Sequence, residues 1–173
     1  MAGPDPQERF LALLEDHRRI LYKVARAYGR TAEDRDDLVQ ETIVQLWRSF
    51  SRYDARFRFS TWMYRIALNV AISFQRREGT RRQHVSPLGP GVLKAVGTVE
   101  EPTGDVARLY GAIARLDSLN KALAMLYLDG HSHVEIAEVL GITATNVATR
   151  IGRLKDKLRN ELLQDDALEG TKT

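Results

Sequence analysis

The stretch FRFSTWMYRIALNVAISFQRR, residues 57–77, sets four large aromatics (Phe57, Phe59, Trp62, Tyr64) in eight positions beside Arg58, Arg65, Arg76 and Arg77. A core takes the rings and rejects the guanidinium groups, whereas a solvated face does the reverse. A surface that uses both is one that holds unstacked nucleotides. Aromatic faces stack on bases that have left the duplex, and arginines hold the phosphates. Met63, Ile66, Ala67, Val70 and Phe74 recur at steps of three and four and supply an inward helix face. Trp62, Arg65, Asn69, Ile72 and Arg76 fall on a different side. Tyr53, Phe59, Trp62 and Tyr64 are therefore the candidate stacking rings. Arg58, Arg65, Arg76 and Arg77 are the candidate phosphate partners, and Asn69 is a hydrogen-bonding group for an extruded base edge. The competing reading makes Phe59 and Trp62 ordinary core residues.

A second nucleic-acid chemistry lies in SHVEIAEVLGITATNVATRIGRLKDKL, residues 132–158. The pattern predicts a short helix from Ser132 to Leu140, a turn at Gly141, an N-cap at Thr143 and a longer basic helix. Ala137, Gly141 and Val147 supply the small residue, the turn and the buried apolar residue of a helix-turn-helix corner. In such a unit the second helix enters the major groove. Its outward residues here are Thr145, Asn146, Thr149, Arg150 and Arg153, followed by Lys155 in the same basic block. Asn and Arg suit bidentate contact with adenine and guanine edges, and Thr can approach a thymine methyl. The competing reading is a helical hairpin with a charged outer face.

Other chemistries are poorly served. Cysteine is absent, and His17, His84, His131 and His133 lack metal-ligand spacing. No paired-carboxylate motif and no glycine-rich phosphate loop occurs. Neither a catalytic residue, nor a metal, nor a cofactor is expected. Asp34, Asp37 and Glu41 lie at three- and four-residue steps and form a helical stripe, which suits a solvated or protein-binding face better than a metal site.

The elements that must position these residues are helical. The chain has 173 residues, enough for one ordinary domain or two small ones, with 43% hydrophobic residues and a formal charge of +3. Charge is unevenly spread. Residues 33–41 hold Glu33, Asp34, Asp36, Asp37 and Glu41, residues 48–82 hold nine arginines, and residues 150–159 hold a second basic block. Two separated basic blocks suggest two contacts on one polyanion. No apolar run approaches a membrane span and the first ten residues lack a signal-peptide pattern, so a cytoplasmic location is expected.

Apolar spacing predicts helices over 7–28 and 35–50, a loop at 51–59, and a third helix capped by Ser60 or Thr61 and running to about Arg77. Glycines and prolines interrupt residues 79–104, which are expected to form a flexible linker. Helices are expected again at 105–116 and 118–128. The fold class is all-α: two small helical domains, 1–78 and 105–165, joined by the linker and followed by a tail, 166–173.

DDLVQETIVQLW, then FSTWMYRIALNVAISFQRR, then a linker, then HSHVEIAEVLGITATNVATRIGRLKDKLR resembles an extracytoplasmic-function sigma factor of the sigma-70 family. The resemblance spans about residues 7–163. It implies a region 2-like domain and a region 4-like domain, no enzymatic activity, and core RNA polymerase (its beta and beta-prime subunits) and promoter DNA as partners, with an anti-sigma protein as a further candidate. It implies that Asp37, Leu38, Gln40, Glu41, Leu46 and Trp47 dock on the polymerase clamp. Tyr53 sits in the loop that receives a flipped base of the −10 element. Trp62, Tyr64, Arg65 and Asn69 sit in the melting helix, and the final basic helix meets the −35 element. The last domain opens with LDSLNKA where many members carry a proline-containing turn, and its final helix opens with TATNV, so the promoter sequence cannot be borrowed from relatives. Two rival readings are a dimeric duplex-DNA regulator, against which the DLVQE and aromatic–arginine helices argue, and a nucleic-acid enzyme, for which no constellation is present.

Overall fold

Helix-forming runs punctuated by side-chain caps organise the chain into two helical units. The computed structural model describes residues 3, 5–77 and 100–170, and the chain divides into units Met1–Val99 and Glu100–Thr173. Most of the expected linker, residues 79–99, lies outside the described residues, as do Arg81, Arg82 and His84. Among the described residues every regular element is helical.

The first unit holds α1 (Pro6–Tyr28), α2 (Ala32–Ser49), a single 3-10 turn (Phe50–Arg52) and α3 (Phe59–Arg76). Asp5 caps α1, and Pro6 occupies its first turn, where a missing N–H costs nothing. Gly29 links α1 to α2 with an extended backbone. Its glycine identity answers to space, since a Cβ there would lie 2.9 Å from the Ala25 carbonyl oxygen and from Arg35 Cγ. Thr31 and Asp34 form a reciprocal capping box that starts α2 three residues earlier than the apolar spacing alone indicates. The three helices pack against one another pairwise around Leu14, Leu21, Leu38, Ile43, Leu46, Met63, Tyr64 and Leu68.

The helix α3 departs from expectation at its start. It begins at Phe59 with Arg58 in the cap position and no side-chain cap hydrogen bond, instead of being capped by Ser60 or Thr61. The buried Phe59 ring anchors that end by packing in place of a hydroxyl cap.

The second unit holds α4 (Gly104–Ala114), α5 (Ser118–Leu128), α6 (His133–Leu140) and α7 (Ala144–Gly170). Asp117 caps α5, its carboxylate accepting from the Asn120 N–H at 3.0 Å. Burial alone would raise the Asp117 pKa, but hydrogen bonds led by the one from Asn120 outweigh it and hold the carboxyl below its ordinary value. Helix α7 packs on α4, α5 and α6 through Val147, Ile151 and Leu154. It also continues through residues 166–170, where the sequence pattern predicts a tail. The continuation has a cause: the Arg108 guanidinium of α4 lies 2.7 Å from the Asp166 carboxylate and donates to the Leu162 carbonyl at 3.1 Å. Arg115 lies 3.7 Å from Glu161 and 3.8 Å from Asp165.

Candidate nucleic-acid interfaces

In the first unit the end of α2, the 3-10 turn and the start of α3 bring together rings that are dispersed in sequence. Tyr53 lies 5.0 Å from Trp62, edge-on to Phe59 at 5.3 Å, and stacked beside Phe50 at 6.1 Å (centroid distances). Phe50 in turn meets Phe10, and Phe10 lies 5.1 Å from Trp47. His17 of α1 lies 5.1 Å from Phe59. This continuous network decides what each ring can do. Phe59 (5% exposed) and Tyr64 (0%) are core residues, so neither presents a stacking face here; for Phe59 this is the competing reading, and Tyr64 leaves the set of candidate rings. Tyr64 sits on the same side of α3 as Leu68 and Ala71, one position off the outward stripe. Tyr53 and Trp62 are half-buried, each packed against other rings and partly open to solvent. Phe57, 65% exposed, is the most exposed large apolar residue among those described in this unit.

The loop between turn and helix is pinned from within. Tyr53 Oη donates to the Phe57 carbonyl at 2.8 Å, and the Phe57 N–H donates to the Asp54 carbonyl at 3.0 Å. Burial raises the Tyr53 pKa, with Arg9 opposing and Asp54 adding, so the phenol remains a donor. Arg56 donates from Nε and Nη2 to the Asp54 carboxylate at 2.6–3.1 Å, and that hydrogen bonding holds Asp54 below its ordinary pKa. An open concavity of about 560 Å³ lies beside Tyr53, lined by Glu8, Arg9, Ala12, Leu13, Asp16, Tyr53 and Ala55. Along α3, Arg65, Asn69 and Arg76 are exposed on the Trp62 side, with Arg58 exposed at the cap. Arg77 is exposed and sits 3.6 Å from Glu41 of α2. Sequence reasoning missed Arg9, Glu8 and Asp16 as walls of the concavity, since nothing in their spacing links α1 to the Tyr53 loop.

The candidate docking face on α2 also divides. Leu38 (1% exposed) and Leu46 (0%) are core, where they support the face and cannot form it. Asp37 is exposed, Gln40 and Glu41 are half-buried, and Trp47 keeps one edge accessible beside Phe10.

In the second unit the helix-turn-helix has the geometry its sequence implies. Ser132 and Glu135 form a capping box at the start of α6. Gly141 ends α6 in the left-handed region (φ 68°), its N–H donating to the Ala137 carbonyl at 2.9 Å, a conformation that favours glycine. The Thr143 hydroxyl oxygen then accepts from the Asn146 N–H at 3.1 Å and starts α7. Val147 is fully buried. Helical steps of three and four place Asn146, Thr149, Arg150, Arg153 and Lys157 on one outward stripe. Lys157 is absent from the residues that the sequence pattern singles out. Lys155 falls on the other flank, with its ammonium 4.7 Å from the Tyr127 ring centre, so it packs against α5 and does not share the stripe. Thr145 is exposed at the first turn.

Two families match these two units separately: Sigma-70 region 2 over residues 13–81 and Sigma-70, region 4 over residues 107–158. The RNA polymerase sigma factor CnrH of Cupriavidus metallidurans is 31% identical over 177 aligned positions, covering 96% of this chain and 92% of that protein. The chain belongs to the sigma-70 family. The ECF RNA polymerase sigma factor SigM of Mycobacterium tuberculosis is 30% identical, covering 86% of this chain and 74% of that one. The solved structure of CnrH in complex with the cytosolic domain of CnrY is similar in fold, with a TM-score of 0.65 at 29% identity over 92% of this chain and 90% of that chain. This sigma factor falls in the extracytoplasmic-function group and recognises promoters for transcription initiation. The family acts as a non-enzymatic initiation factor. Among the described residues, no helix of this sigma factor is long and apolar enough to cross a membrane.

Proposed function

We propose that the two units divide promoter recognition into single-strand capture and duplex reading, on a chain that joins core polymerase through α2. The observation that carries this reading is the edge formed by Tyr53 and Trp62. Two half-buried rings stand 5.0 Å apart, Tyr53 lining an open concavity, with exposed Arg58, Arg65, Asn69 and Arg76 following along α3. Rings packed against other rings and partly open to solvent are ready to stack on extruded bases of the −10 element. Arg58, Arg65, Arg76 and Arg77 hold the strand's phosphates. Asn69 offers hydrogen bonds to a base edge. Phe59 and Tyr64 hold these residues in place from the core. Asp37, Gln40, Glu41 and the open edge of Trp47 face the polymerase clamp, supported from behind by Leu38 and Leu46. Helix α7 lies in the major groove of the −35 element, with Thr145, Asn146, Thr149, Arg150 and Arg153 toward the bases and Lys155 off that face.

The chain has no catalysis of its own in this reading, needs no cofactor, and acts in the cytoplasm where polymerase meets the promoter. Domain limits of 1–78 and 105–165, extended to Gly170 by the Arg108 contacts, follow from the same division. CnrH has been solved with the cytosolic domain of CnrY, and a related sigma factor, RpoE of Bartonella quintana, with the anti-sigma factor NepR. By analogy with CnrH, a regulatory protein partner is proposed for this chain.

Run-off transcription with purified core polymerase on genomic fragments tests the whole reading. Discrete transcripts that require the chain are expected. No transcript and no complex at micromolar concentrations, with core competent for another sigma factor, overturns it.

A further inference from the structure

On the outward stripe of α7, Arg150 and Asn146 are joined: the Arg150 Nε–H donates to Asn146 Oδ1 at 2.8 Å. The Nε of arginine is a donor only, so chemistry requires the amide oxygen to be the atom that faces it. The pair stands on the first turns of α7, where the Thr143 hydroxyl oxygen holds the Asn146 N–H at 3.1 Å. Thr149 donates its hydroxyl hydrogen inward to the Thr145 carbonyl at 3.1 Å. Arg153, by contrast, is exposed and makes no hydrogen bond or ion pair among the described residues.

The tether restricts both side chains. With Nε occupied, Arg150 is left with the end-on fork of Nη1 and Nη2, two parallel donors. In the major groove only guanine places two acceptors, O6 and N7, side by side to receive such a fork. Adenine sets a donor at N6 beside the N7 acceptor, and cytosine presents a donor at N4. The same hydrogen bond takes one of the two lone pairs of Asn146 Oδ1 and turns that oxygen toward Arg150, away from the pose for reading adenine, in which Oδ1 accepts from N6 while the amide N–H donates to N7.

We propose that Asn146 is a positioning residue that commits Arg150 to guanine, so that this turn of α7 selects a G·C pair at one position of the upstream element. The proposal rests on α7 being the duplex-reading helix. Asn146 sets the base preference through Arg150 and is not itself the adenine reader its residue type suggests.

The test uses holoenzyme assembled from core polymerase and the full chain, with a pool of duplex DNA randomised across the upstream element as the probe. Bound sequences are counted for the native chain and for Asn146→Ala, Asn146→Asp and Arg150→Ala. The native chain is expected to enrich guanine at one position, and Arg150→Ala to remove roughly tenfold discrimination there. Asn146→Ala should reduce discrimination at that same position and leave the others unchanged. Asn146→Asp keeps an acceptor for Nε, so it should weaken binding of all sequences by charge while retaining the guanine preference. Both Asn146 and Arg150 lie on the open side of α7, and matching thermal melting curves check that the unit remains folded. If Arg150→Ala removes a preference that Asn146→Ala leaves intact, the positioning role is overturned and the duplex-reading helix stands. The positioning role also falls if Asn146→Ala erases an adenine preference, or if Asn146→Asp loses the guanine. If Arg150→Ala lowers all sequences equally and no variant changes the profile, base reading by this stripe of α7 fails with it.

Discussion

The half-buried rings of the first unit are held by rings from other elements, whereas the outward side chains at the start of α7 bond only within their own helix. Tyr53 and Trp62 are each in contact with at least two other rings. On α7, Thr145, Asn146, Thr149 and Arg153 are exposed, and Asn146–Arg150 is the one side-chain-to-side-chain hydrogen bond of that stripe among the described residues. The difference follows from the two forms of DNA proposed as ligands. A base out of the stack is mobile, and a rigid aromatic wall lowers the entropy cost of capturing it. A duplex is already rigid, so the reader needs reach and correctly placed donors more than a wall.

The sharpest way to break the comparison is to remove a support from beneath the first unit's surface. Leu46→Ala should cost roughly 2–5 kcal/mol of stability, because Leu46 is fully buried among the three helices. Polymerase binding should then fall in parallel with the thermal transition. Gln40→Ala should instead weaken polymerase capture and leave melting unchanged. If the two variants behave alike, support and surface have not been separated.

The next largest effect concerns opening. Tyr53→Ala and Trp62→Ala should each forfeit about 1–3 kcal/mol of base stacking. Permanganate reactivity of thymines near the start site should drop, and pre-melted promoter DNA should restore much of the loss. Phe57→Ala should leave the thermal transition unchanged, since Phe57 projects into solvent. Tyr64→Ala should lower the thermal transition and lose opening with it, since Tyr64 is fully buried. Normal opening by both Tyr53→Ala and Trp62→Ala would leave the rings as core only.

Salt dependence sharpens the other half. Arg153→Ala should cost about 1–3 kcal/mol at one base pair of the upstream element; a uniform loss across sequences with a salt slope lower by about one would instead make Arg153 a phosphate contact. Lys155→Ala should leave the sequence profile unchanged and cost roughly 0.5–1 kcal/mol of stability through its contact with Tyr127. A changed sequence preference in Lys155→Ala would put that flank on the DNA. The smallest effect is expected from Arg108→Ala: its ion pair is surface-type, and its loss should be read only as earlier hydrogen exchange in the last turns of α7.

Much of this was legible in the sequence for a local reason. Helix periodicity, the Gly141 turn, the Thr143 cap and the two basic blocks are properties of neighbouring residues, and they specify an all-α chain with a helix-turn-helix near its end. The spacing of Asn146, Thr149, Arg150 and Arg153 likewise fixes a common face, because one helix carries all four. What tertiary structure alone decided was which aromatic turns inward. Tyr64 and Trp62 lie two positions apart in one helix, yet Tyr64 is enclosed by the helical core while Trp62 opens beside Tyr53. Leu38 and Leu46 went the same way as Tyr64, and Arg9 came to the Tyr53 concavity from a helix more than forty residues earlier. A ring's burial depends on which neighbours the packing of three helices supplies on each side. The period of a single helix records that it has two faces, and only the neighbouring helices determine how far each face is covered.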